Sequence, residues 1–154
     1  MELILRKSNG FDKKEVLKLL KENMEHKFIE NFGGFSEKVS EKHYDEIEKT
    51  GYSYVLEDEK IVGFFSFYKE LNEKNSFVLN NIQIKKEYQN KGLGTKILDF
   101  VENKIKKIGG GRIKLLVFKN NGAYNFYKKN DFKEIDFLEK SKTIVMVKKI
   151  NVNN

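Results

Sequence analysis

Apolar and polar residues alternate from Glu2 to Arg6, with Leu3 and Leu5 on one side, and this period of two predicts a first β-strand. The period then becomes helical. Val16, Leu17, Leu20 and Met24 fall on one stripe, so a helix is expected to about Glu25. Asp12 and Glu15 have capping-box spacing at its start, with Phe11 and Val16 placed as a hydrophobic staple. From His26 to Phe35 the pattern is aromatic but irregular, Phe28, Phe32 and Phe35 standing among Asn31, Gly33 and Gly34. A loop is expected here, its rings turned either into the core or toward a substrate. Ser40 can cap a short helix bearing Tyr44 and Ile47, and Gly51 can end it.

Tyr52–Leu56, Ile61–Tyr68 and Phe77–Ile84 are strand-like runs separated by the polar stretches Glu57–Lys60 and Asn72–Asn75. Three strands in succession imply an antiparallel meander. Leu93, Ile97, Leu98, Val101, Ile105 and Ile108 then share one helical face, and Gly109–Gly111 closes that helix. Arg112–Phe118 alternates again. Strand, helix and strand in this order make a crossover, so the strands at Ile84 and Leu115 should run parallel. A short helix follows, capped by Asn120 or Asn121, with Ala123, Phe126 and Tyr127 on one face. Strands over Phe132–Leu138 and Thr143–Lys149 precede the tail Asn151–Asn154, which is expected to fray. The expected fold is α/β (α+β), a mixed, mostly antiparallel central sheet of about six to seven strands flanked by about four helices. No linker interrupts it, and residues 1–154 are expected to form one domain.

Composition narrows the chemistry. With 34% charged, 39% hydrophobic and 13% aromatic residues, the chain has globular rather than disordered character. No apolar run approaches the ~20 residues of a membrane span, and Met1-Glu2-Leu3 has no signal-peptide layout, so no membrane partner and a cytoplasmic location are expected. The net charge of +7 is spread along the chain among Asp and Glu, which describes a mixed surface and no nucleic-acid partner. The absence of cysteine excludes disulfides, thiolate ligands and a cysteine nucleophile. Only His26 and His43 remain as imidazoles, so no metal site is expected, and surface or packing roles are expected for both.

The most informative stretch is Gln89-Asn90-Lys91-Gly92-Leu93-Gly94, set between a strand ending near Ile84 and a strongly amphipathic segment starting near Leu93. Glycines allow backbone conformations and close approaches that other residues resist. The helix behind them has unpaired N–H groups and a positive end, a ready anion site. A P-loop is excluded because Thr95-Lys96 stands in the wrong order, and a dinucleotide fingerprint because Ile97 occupies the third glycine position. A phosphate cradle and a plain glycine-relaxed turn both remain open on the loop alone.

Two stretches together resemble one family. Ile82-x-Ile84-x-x-Glu87-Tyr88-Gln89-x-Lys91-Gly92-x-Gly94 is similar to the acyl-CoA pyrophosphate motif of the GNAT N-acetyltransferases, and Asn120-x-x-Ala123-x-x-Phe126-Tyr127-x-x-x-x-Phe132 to their downstream cofactor motif. The resemblance implies an acyl-CoA N-acyltransferase-like fold with a parallel, splayed strand pair at the cofactor site. It implies that the backbone of Gln89, Asn90, Lys91, Gly92, Leu93, Gly94 and Thr95 cradles the pyrophosphate of acetyl-CoA, the acyl donor, with Lys91 adding charge or simply solvated. Ile82 and Ile84 would pair with the pantetheine amides, and Asn120 would contact the pantetheine arm or cap its helix. Lys86 and Asp131 replace the proline and glycine frequent in the family.

The implied activity is acetyl transfer to a primary amine. Without a cysteine, direct attack in a ternary complex is the simplest scheme. Tyr127 matches the tyrosine that donates to the departing thiolate, with Tyr124 as its neighbouring competitor. The carboxylate often used as base is missing, since Val78, Asn80 and Asn81 stand in its region, so a water held by Asn80 or Asn81 is expected, with Glu30 as the alternative. The expected partner is a small-molecule or peptide amine, and a homodimer is compatible with the chain. The alternative is a non-catalytic acyl-CoA-binding sensor module.

Overall fold

The three aromatic-rich runs do form a meander, and it makes the centre of the molecule. In the computed structural model, which describes residues 2–150, β1 (Ile4–Lys7), β2 (Tyr52–Asp58), β3 (Lys60–Lys69) and β4 (Ser76–Ile84) pair antiparallel in succession. The tail Asn151–Asn154 lies outside the described residues. The crossover helix α3 (Leu93–Lys107) carries the chain to β5 (Arg112–Phe118), which pairs parallel with β4. After α4 (Ala123–Lys129), β6 (Lys133–Leu138) takes the edge and β7 (Thr143–Lys149) inserts between it and β5. The result is one seven-stranded sheet in the order β1-β2-β3-β4-β5-β7-β6, antiparallel except at β4/β5, as expected.

Strands inside a sheet covered on both sides must be apolar on both sides. Tyr54 and Leu56 of β2 join the core under α3 and α4, while Val55 joins a second core under α1 (Lys13–Phe32) and α2 (Glu37–Thr50). Ile97, Val101 and Ile105 of α3 are fully buried, each contributing roughly 1.5–3 kcal/mol by leaving water. Ile108, expected on the same stripe, is 39% exposed because the helix has ended. Within the glycine run, Gly110 is required by packing: a Cβ there would lie 2.3 Å from Ile105 Cγ2 and 2.8 Å from the Phe77 ring.

The helix starts differ from the expectation. Asp12 belongs to a capping box one turn earlier, on the 3-10 turn Gly10–Asp12, where Asn9 Oδ1 accepts from the Phe11 N–H (2.9 Å) and Asp12 Oδ2 from the Asn9 N–H (2.8 Å). Phe11 is 97% exposed and makes no staple. Asp12 is drawn away by Arg6, whose Nη1 and Nη2 donate to its two carboxylate oxygens at 2.9 and 2.8 Å. α1 does not stop near Glu25 but continues to Phe32 and ends on left-handed Gly33, so His26–Phe32 is helix rather than loop. α2 is capped by Ser36 (Val39 N–H to Oγ, 3.2 Å), one turn before Ser40, and ends at Gly51 with Tyr44 and Ile47 buried.

Candidate active site

β4 and β5 pair only through Ser76↔Arg112, Phe77↔Ile113 and Val78↔Lys114. Both strands then continue apart, to Ile84 and Phe118, so the sheet opens as a wedge. A bulge contributes: Ser66 pairs with Asn81 and Phe67 with Leu79, which leaves Asn80 as an extra residue in β4. The Lys85 N–H donates to Val62 O on the β3 side, so by strand alternation the backbone groups of Ile82 and Ile84 face the wedge. Ile84 O already accepts from Asn23 Nδ2 (3.1 Å) and Gln89 Nε2 (2.8 Å), and a guest pairing there must displace an amide side chain. A cleft of ≈ 1660 Å³ runs through the wedge beneath α1.

At one end stands the glycine loop. After β4 the chain makes a 3-10 turn, Lys86–Tyr88, tied down by Tyr88 Oη donating to Asp58 Oδ2 (2.7 Å). Asn90 (φ 60°) and Gly92 (φ 81°) are left-handed, which turns successive N–H groups to one side. Among the described residues, the N–H groups of 90–95 donate to no protein acceptor, and the positive end of α3 lies behind them. The two glycines serve different ends. A Cβ on Gly92 would meet nothing within 4 Å, so that position is glycine for its conformation, whereas one on Gly94 would lie 2.9 Å from Phe126 Cζ. Gln89, Asn90, Gly92, Leu93, Gly94 and Thr95 line the cleft, and Lys91 does not: its ammonium lies over the Tyr88 ring, 5.6 Å from the centroid.

Across the wedge, Asn121 rather than Asn120 organises the start of α4. Its Oδ1 accepts from the Ala123 N–H (3.0 Å) and from Lys27 Nζ (2.7 Å), while Asn120 is exposed and away from the cleft. Burial lowers the Lys27 ammonium from the ordinary lysine value. Tyr127 is 8% exposed, packed between the rings of Phe126 and Phe132 (5.4 and 5.5 Å between centroids), and lines the cleft. Its hydroxyl has no protein partner among the described residues. Burial pushes the phenol well above the ordinary value of 10, so at neutral pH it is a proton donor only. Tyr124 turns away, its Oη donating to Glu134 Oε2 (3.0 Å).

Asn80 and Asn81 both line the cleft at the bulge. Glu30 is exposed on α1 and does not reach it. α2 brings the exposed His43 to the bulge, its Nε2 2.8 Å from Asn80 Nδ2. The surface position agrees with the expectation for His43, but its contact with Asn80, 37 residues away, was not foreseen. A signal was present: His43 stands four residues before buried Ile47 and so shares its helical face.

Solved structures of similar fold include the PaiA N-acetyltransferase of Thermoplasma acidophilum in complex with coenzyme A (22% identity, TM-score 0.76, 97% of this chain and 99% of that one). The ribosomal-protein-S18-alanine N-acetyltransferase of Escherichia coli (20%, 0.75, 99% and 97%) and an aminoglycoside 6'-N-acetyltransferase complexed with coenzyme A (15%, 0.79, 98% and 99%) are also similar. At these identities the likeness is one of fold. No curated protein matches the chain by sequence. The model of the acetyltransferase (GNAT) family matches residues 16–132, a span that holds the glycine loop, the wedge and Tyr127, and the chain belongs to that family.

Proposed function

We propose that the protein transfers an acetyl group from acetyl-CoA to a primary amine by direct attack in a ternary complex. The observation that carries this reading is the pairing, in one cleft, of unpartnered backbone N–H groups at 90–95 with the unpartnered hydroxyl of the largely buried Tyr127. The amides suit a pyrophosphate, since they offer several donors and a helix dipole without needing a cationic side chain. The wedge-facing backbone of Ile82 and Ile84 would hold the pantetheine as if it were a strand, with the Asn23 and Gln89 amides giving way at Ile84. Asn121, which caps α4 and accepts from Lys27, would take the role expected of Asn120 beside that arm.

The amine nitrogen attacks the thioester carbonyl, a C–N bond forms, and the C–S bond breaks as the thiolate leaves. The proton lost by the amine passes through water held by Asn80 and Asn81 to His43, an imidazole being the side chain whose ordinary charge change lies between pH 5 and 8. Tyr127 donates a hydrogen bond to the departing sulfur. A phenol of reference pKa ~10 does not fully protonate a thiolate of ~8.5, so stabilisation rather than transfer is its role. Calorimetry with acetyl-CoA and thiol release with a panel of primary amines test the reading together. Binding with turnover on an amine is expected; tight binding with no thiol release on any amine would identify a non-catalytic acyl-CoA sensor instead.

A further inference from the structure

Resting on that reading, we infer that the acceptor is a primary amine borne on an aromatic or bulky apolar group and carrying no second cation. Beyond the bulge the cleft is walled by a cluster of rings. The Phe28 centroid lies 5.8 Å from that of Phe32, 5.7 Å from Phe35 and 5.6 Å from Phe118, with Phe32 and Phe118 5.7 Å apart. Phe118 anchors the cluster, being the last residue of β5 and 7% exposed. The other side stays open: Phe32 is 47%, Val39 68% and Leu116 48% exposed, and all three line the cleft. A cluster that only packed α1 onto the sheet would have no reason to leave this much apolar surface facing the cavity that holds Asn80 and His43.

Charge decides what the wall accepts. The carboxylates that line the cleft are Glu22, on α1 ahead of the ring-bearing turns, and Glu87, on the turn before the glycine loop; among the described residues the titratable groups next to the rings in the chain or at the bulge are His26, Lys27 and His43. A polyamine or aminosugar would bring a second ammonium against an apolar wall and toward Lys27, whose Nζ is held by Asn121 without a carboxylate. An unpaired cation leaving water there is strongly disfavoured. An aromatic ring on the acceptor instead loses water and gains edge-to-face contact with Phe28, Phe32 and Phe35. Its amine, one or two carbons away, is left beside the bulge where the proton must depart.

Initial rates with acetyl-CoA and three acceptors test this: 2-phenylethylamine, a tripeptide with an N-terminal phenylalanine, and spermidine. The expected kcat/KM for at least one aromatic amine exceeds that for spermidine by about 100-fold, and the faster of the two says whether the ring comes on a free amine or on a peptide end. Phe32→Ala, at a half-exposed position that spares the buried rings, should raise KM for that acceptor about 10-fold and leave acetyl-CoA affinity unchanged. Val39→Asp should raise the rate with spermidine. Equal or better use of spermidine by the unaltered protein would overturn the inference and leave acetyl transfer standing. No turnover on any of the three while acetyl-CoA binds would overturn the transfer reading, and the inference with it.

Discussion

Replacing Tyr127 by phenylalanine removes one oxygen and keeps the ring between Phe126 and Phe132. The lost interaction is a hydrogen bond to a developing thiolate inside a buried site. Donors of this kind are worth about 3 kcal/mol in the transition state, which corresponds to roughly 10²-fold in kcat. The ground state behaves oppositely. In the free protein the hydroxyl has no protein partner among the described residues and its residue lines the cleft, so its removal breaks no bond within the protein. Tm should therefore hold or rise, and the Kd for acetyl-CoA should stay within about twofold, because the thioester sulfur is a poor acceptor before it carries charge. Burial raises the Tyr127 phenol above 10, so the neutral donor persists and its ionisation imposes no alkaline decline in kcat below about pH 10. Thiol-release kinetics at saturating acceptor, with a thermal melt on the same sample, read both halves. A variant with kcat within about threefold of the parent would remove Tyr127 from the mechanism, and one losing kcat and Tm together would make its role structural.

His43→Gln keeps a polar partner for Asn80 but cannot take a proton; in thiol-release kinetics kcat/KM should drop by about 10²-fold, with acetyl-CoA binding intact by calorimetry. Gly92→Val forces a β-branched residue to φ 81°, costing roughly 1–2 kcal/mol, and should weaken acetyl-CoA about 10-fold in calorimetry while Gly92→Asn weakens it less. Asp12→Asn breaks the two-pronged pair with Arg6 and should cost about 2 kcal/mol in urea unfolding at pH 7, discounted because Arg6 is partly exposed. The guanidinium holds the Asp12 carboxyl below its ordinary 3.8, so this stability is full above that value and lost as pH falls beneath it; the variant should show a shallower acid decline.

The element order was legible because each period change is sharp: two in β2 to β5, helical in α3, with Gly109–Gly111 at the boundary. What the pattern misjudged are the places where long-range partners outweigh local ones. His26–Phe32 looks irregular because this part of α1 lies across a cleft, placing Phe28 on Phe118 and Lys27 on Asn121 rather than one stripe on a core. Asp12 has the chemistry of an N-cap, yet Arg6 claims both its oxygens. Ser36 and Ser40 are equivalent as letters, and the choice follows from where left-handed Gly33 releases α1. The site divides in the same way. The turn at 89–95 was readable because its glycines encode it locally, while the contacts of Asn121 and His43 depend on α1 and β4 coming to them.

The three-pair seam between β4 and β5 divides the sheet into two leaves, β1 to β4 and β5 with β7 and β6. Past Val78 no backbone bond joins them; α1 acts as a strap, fastened to one leaf by Asn23 on Ile84 and to the other by Lys27 on Asn121. A molecule lodged between the leaves supplies the missing rungs of the ladder. On the proposed reading the acyl donor is thus a removable strand of its own enzyme, and each turnover takes out and replaces a piece of the sheet. Amide exchange at Ile82 and Ile84 would then follow the occupancy of the wedge, and α1 would loosen and refasten with every product that leaves.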